Sequence, residues 1–116
     1  MDSLSDLMAS VRDFADARDW DQFHSPKNLA CSISIEAGEL LEQFQWRSED
    51  ERPDEMDETR RTRIAEEMAD VLIYLVRLSD KMGIDLIPAA TRKLARNAEK
   101  YPVDKARGSN KKYTEL

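Results

Sequence analysis

Four carboxylates occur in two short runs of matching spacing: Glu36 and Glu39 in E-A-G-E, and Glu67 and Asp70 in E-M-A-D. Residues three apart share one side of an α-helix, so each run would aim two oxygen donors in the same direction. Two such pairs facing each other would suit a hard divalent cation. Mg²⁺ takes oxygen ligands, keeps several waters and commonly completes its shell with substrate phosphates. The ordinary alternative is a set of solvated acids on helix flanks, which is what most helical charges are. The same arrangement recurring twice argues against that alternative.

Each pair also borders an apolar stripe. Leu29, Ile33, Leu40 and Phe44 form one stripe beside Glu36 and Glu39. Ile64, Val71, Leu75, Leu78 and Met82 form the other, with Glu67, Asp70 and Tyr74 along its border. If both stripes enter one core, four carboxylates meet in a space partly withdrawn from water, where an uncompensated ion costs several kcal/mol. A cation between them removes that cost. Dinuclear iron or manganese bundles also gather carboxylates, but they do so with Glu-x-x-His pairs. The single histidine, His24, lies outside both runs. Glu42 and Glu66 point away from the stripe borders and are expected to be exposed.

The elements that must position these acids are helices. Leu4, Leu7, Met8, Val11, Phe14 and Ala15 recur at helical spacing over residues 3–19, with Ser3 or Ser5 as N-cap. The run D-W-D-Q-F-H at 19–24 breaks the period. Ser25-Pro26 then reads as an N-cap followed by proline at the first helical position, opening a second helix that extends to about Trp46. Residues 47–59 are charged and interrupted by Pro53, which predicts a loop or lid held extended by its negative charge. A third helix spans about Asp57 to Met82, stopped by Gly83. A fourth starts near Asp85 and Pro88 and ends at Tyr101-Pro102, because proline disfavours helix in the residue before it. Four helices with short connectors predict an all-α four-helix bundle over residues 1–102. The remainder, 103–116, is a basic C-terminal tail with few core formers and reads as a mobile end.

Composition agrees with a helical protein. The 116 residues are 41% hydrophobic and 36% charged, with 3 Gly and 4 Pro, which suits one helical domain rather than disorder or an all-β fold. A net charge of -6 argues against a nucleic-acid duplex as partner, since such binders need a basic footprint. No run is long enough to span a membrane, and the N-terminal M-D-S-L-S-D has no basic and apolar leader pattern. The lone Cys31 excludes an internal disulfide, and a cytoplasmic location is expected.

The run E-A-G-E from Glu36 to Glu39, with E-M-A-D from Glu67 to Asp70, resembles the E-x-x-E…E-x-x-D signature of the MazG-like all-α nucleoside triphosphate pyrophosphohydrolases. Further runs are similar to the dCTP pyrophosphatase branch: R-D-W-D-Q-F-H-S-P-K-N from Arg18 to Asn28, F-Q-W from Phe44 to Trp46, D-V-L-I-Y from Asp70 to Tyr74, and N-A-E-K-Y-P from Asn97 to Pro102. The likeness extends from about residue 4 to 102. It implies Mg²⁺-dependent hydrolysis of a (deoxy)nucleoside triphosphate, dCTP or a modified pyrimidine dNTP, between the α and β phosphates. Glu36, Glu39, Glu67 and Asp70 would hold the metal, and Glu39, or else Glu36, would orient or deprotonate the attacking water. The resemblance also implies a homodimer or homotetramer with sites built between subunits.

Trp20, Phe23, His24 and Trp46 flank the second helix. Read by themselves, they staple the loop and cover the helix end. The resemblance makes Trp20 and Trp46 the pair that sandwiches a pyrimidine, His24 a base or sugar contact, and Tyr74 the residue packed on deoxyribose. On the fourth helix, Lys93, Arg96, Asn97 and Lys100 share a face that alone would be a solvated basic surface. The resemblance makes Lys93, Asn97, Lys100 and Tyr101 triphosphate contacts, with the tail closing over them. Two other functions fit the same residues: a helical interaction module with acidic clusters but no catalysis, and an enzyme acting on dUTP or a wider set of triphosphates.

Overall fold

The computed structural model describes residues 3–116. Met1 and Asp2, the start of the expected catalytic domain, lie outside the described residues. Those described are helical without a strand, in two units: one up to Gly83 and one from Ile84 to Leu116.

The first unit contains α1 (Leu4–Ala17), α2 (Pro26–Glu42) and α3 (Glu58–Met82). Each starts where its capping chemistry stands. Ser3 accepts the Asp6 N–H at 3.1 Å, Ser25 accepts that of Asn28 at 3.2 Å ahead of Pro26, and Asp57 accepts that of Arg60 at 2.8 Å. Gly83 ends α3 in the left-handed region at φ 65°, a conformation a side chain would strain.

α3 runs against both α2 and α1. The fully shielded apolar side chains of this unit are few: Ala15 on α1, Leu29 on α2 and Val76 on α3. The stripes expected from periodicity are only partly covered, since Phe44, Leu75 and Met82 are exposed and Val76 sits at the centre instead. Ile35, Leu41, Met68 and Leu72 also stand in solvent. Among the described residues of this unit, most apolar side chains are thus half-covered or exposed rather than shielded.

The second helix ends at Glu42, a turn earlier than its pattern suggests. The peptide groups of Gln43, Phe44 and Arg47 bond three residues back instead of four, and the Arg60 guanidinium donates to the Gln43 carbonyl. A cation from α3 thus caps the last turn of α2. Nor is the acidic connector held extended by self-repulsion. Arg60 pairs with Glu51 at 2.7 Å, Arg52 pairs with Glu55 at 3.1 Å, and Arg61 donates to the Pro53 carbonyl at 3.0 Å.

The second unit has α4 (Leu86–Lys100), a short α5 (Val103–Ala106) and a 3₁₀ turn at Tyr113–Glu115. The tail is thus ordered rather than a free end. Tyr113 packs edge-on against Tyr101 with ring centroids 6.0 Å apart, and the Lys100 ammonium lies 4.8 Å from the Tyr113 ring centroid. The aromatic pair and the cation over its ring supply the contacts that basic composition does not reveal.

Candidate metal centre

α2 carries Glu36 and Glu39, and α3 carries Glu67 and Asp70, each pair one helical turn apart. The packing of α2 on α3 turns the pairs toward each other. Glu36, Glu67 and Asp70 each place a carboxylate oxygen within 4.8 Å of the others, and Glu39, one turn from Glu36 on α2, is near enough for its charge to act on both Glu36 and Glu67. Glu42 and Glu66 are exposed, as their phase on the helices requires.

The electrostatics of the cluster favour a positive charge between these acids. Burial first, then the contact with Glu39 and the charges of Asp70 and Glu67, push the Glu36 carboxyl up to about 7 from 4.5. Glu67 is raised as well, by burial and then by Glu39. One oxygen of Glu36 and one of Glu67 are shut off from solvent without any hydrogen-bond partner. Natural proteins leave few buried polar atoms orphaned, and a carboxylate oxygen can be satisfied only by a proton donor or a cation. No lysine or arginine pairs with any of the four acids among the described residues. An all-carboxylate donor set without histidine or cysteine fits an oxygen-seeking divalent ion.

Next to this cluster is a cavity of about 200 Å³ lined by Trp20, His24, Ile73, Tyr74, Asp70 and Arg77 among others. Asp70 belongs to both. Trp20 sits edge-on to Phe14, with centroids 5.6 Å apart, and to His24 at 6.2 Å. It follows Asp19, whose φ of 54° makes the tight bend after α1. Asp tolerates this left-handed conformation better than most residues, and Gln22 braces it by donating to both the Asp19 carbonyl and its side chain.

Trp46 does not join Trp20. It is 89% exposed and lines a separate, polar cavity of about 610 Å³ with Arg47, Glu51, Arg60 and Arg63. Lys93, Asn97, Lys100 and Tyr101 belong to the second unit; Asn97 and Lys100 are half-buried there, Lys93 and Tyr101 exposed.

Sequence reasoning missed Arg77. Its side chain is 3% exposed and reaches Asp21, His24 and Asp80. A signal existed, since Arg77 follows Asp70 and Tyr74 at helical spacing on the same border of α3. An arginine in such a place reads as solvated until the loop that covers it is known.

The MazG-like family profile matches residues 31–116. The dCTP pyrophosphatase 1 of Mus musculus is 44% identical over 115 residues, covering 98% of this chain and 68% of the relative; that of Homo sapiens is 43% identical over the same share. Among solved structures, a pyrophosphatase from Archaeoglobus fulgidus superposes with a TM-score of 0.77 at 50% identity, covering 84% of this chain and 91% of the other.

Proposed function

Because the chain belongs to the MazG-like family, we propose that it hydrolyses a pyrimidine deoxynucleoside triphosphate, dCTP or a modified relative, to the monophosphate and pyrophosphate with Mg²⁺ as cofactor. It is a nucleoside triphosphate pyrophosphohydrolase. The observation that carries the assignment of the site is the convergence of Glu36, Glu67 and Asp70, with one buried oxygen of Glu36 and one of Glu67 orphaned.

Glu36, Glu67 and Asp70 would hold the ion, with Glu39 beside them. When bound, Mg²⁺ supplies neutralisation of the triphosphate and of the departing pyrophosphate. Glu39 orients a water and takes its proton as the water oxygen bonds to the α-phosphorus. The bridging oxygen between the α and β phosphorus then leaves with pyrophosphate. Glu39 stands beside the three acids whose oxygens converge, not among them, which leaves its carboxylate available for this role. Trp20, His24 and Tyr74 receive the base and sugar, and their cavity shares Asp70 with the metal cluster.

The protein would act as a homodimer or dimer of dimers. Leu41, Met68 and Leu72 are exposed on the helices that carry the acids, and Trp46 stands in solvent. A second copy covering these residues would bury them and could use Trp46 against a base. Lys93, Asn97, Lys100 and Tyr101 are proposed to meet the triphosphate. Among the described residues no helix is long and apolar enough to cross a membrane, and the exposed free Cys31 suits a cytoplasmic location.

The deciding experiment is pyrophosphate release across canonical and 5-modified dNTPs and NTPs, with Mg²⁺ and with EDTA. The expected result is chelator-sensitive release, highest on dCTP or a modified pyrimidine dNTP. Release unaffected by EDTA, or undiminished in Glu36→Gln and Asp70→Asn, would refute the site.

A further inference from the structure

The buried Arg77 is surrounded by partners that define a chemical state. Its Nη2 lies 3.0 Å from Asp21 and its Nη1 3.5 Å from Asp80, while its Nε donates to His24 Nδ1 at 3.0 Å. Both carboxylates have a second cation: Lys81 is 2.6 Å from Asp21, and Arg12 grips Asp80 at 2.6 and 2.9 Å. The Arg77–His24 contact is the one that fixes a proton. A guanidinium has only donors and stays protonated, so His24 Nδ1 must offer its lone pair. A neutral imidazole carries one ring proton, which is then on Nε2. Protonation of His24 would set N–H against N–H. Consistent with this, burial and then the charge of Arg77 hold the His24 pKa below its ordinary value, against a smaller opposite pull from Asp21.

Resting on the reading of the Trp20–His24–Tyr74 cavity as the base site, we infer that Arg77 is a positioning residue for base selection. It holds His24 as the Nε2–H tautomer, a hydrogen-bond donor toward a pyrimidine that has an acceptor at ring position 3. Cytosine and its 5-modified forms have a lone pair there, whereas uracil and thymine carry N–H. Donor facing donor leaves both unsatisfied in a confined site, so the fixed tautomer discriminates where stacking on Trp20 cannot. Arg77 lines the same cavity, but in this scheme it acts on the base through His24.

Because His24 is the only histidine, its ring nitrogens can be read in the whole protein by long-range ¹H–¹⁵N correlation. At pH 7.5 without nucleotide, the wild type should show a neutral ring protonated on Nε2, and Arg77→Met should show a tautomer mixture. The ratio of kcat/KM for dCTP over dUTP should fall about tenfold in Arg77→Met, the size of one lost hydrogen bond. A merely structural role for Arg77 would slow both substrates alike and leave the ratio unmoved. Should Arg77→Met not fold, His24→Phe, which keeps a ring but no donor, should lower the ratio by the same factor. A wild-type ring protonated on Nδ1, or an unchanged ratio in a folded variant, would overturn the inference while turnover upheld the enzyme assignment. Absence of turnover on every dNTP would instead remove the base-site reading, and the inference with it.

Discussion

Replacing Glu36 by Gln should stabilise the metal-free protein at alkaline pH, although it removes a proposed ligand. Glu36 is raised to about 7 in the fold against 4.5 ordinarily, so the folded state holds this proton more tightly than the unfolded chain. The linked stability is fully present below about 4.5 and is lost as pH rises through about 7. At ~1.36 kcal/mol per unit the whole shift is worth about 3 kcal/mol. Four interacting carboxylates share it and Glu36 keeps some exposure, which leaves ~1–2 kcal/mol for the single site. Gln imitates the protonated acid at every pH. Thermal unfolding in EDTA should therefore show nearly equal Tm values for the two proteins near pH 5. At pH 8.5 Glu36→Gln should lead by several degrees, since ~1 kcal/mol moves a domain of about 100 residues by ~4–8 °C. His24 has the opposite slope, its pKa being lowered, but it is common to both proteins and cancels in the difference. Added Mg²⁺ should reverse the order by stabilising the wild type more. A variant that is less stable at pH 8.5 in EDTA, or a difference independent of pH, would show that the four acids do not share a confined space.

Other outcomes follow from the same geometry. Asp70→Asn should lower pyrophosphate release at least ~100-fold with helix content by circular dichroism unchanged, because it alters a donor without touching the stripe. Leu29→Ala should cost ~2–5 kcal/mol in urea unfolding, as Leu29 is one of the few fully buried side chains. Trp46→Ala should leave stability within ~0.5 kcal/mol yet raise KM for the nucleotide, since the residue is 89% exposed. Gly83→Ala should lower stability by about 1 kcal/mol, because φ 65° is strained for any residue with a Cβ.

Much of the site was legible in the chain because it is local. The spacing of Glu36 with Glu39 and of Glu67 with Asp70 fixes which way each pair points once a helix forms, and Ser25-Pro26, Asp57 and Gly83 mark where those helices begin and end. Capping depends on neighbours within one turn, so sequence suffices for it. Glu42 and Glu66 could be excluded by the same phase. Other features needed contacts between distant residues. α2 stops at Glu42, and the Gln43 carbonyl just beyond it is taken by Arg60, 17 positions on. The tail is ordered because Tyr113 finds Tyr101.

The separation of Trp46 from Trp20 and the burial of Arg77 were likewise invisible to periodicity. Periodicity reports the angle of a residue around its own helix but not the axial offset of one helix on another. Helical spacing thus determined that the carboxylates come in two aligned pairs. The packing of α2 on α3 alone decided that the pairs meet, with two oxygens cut off from water.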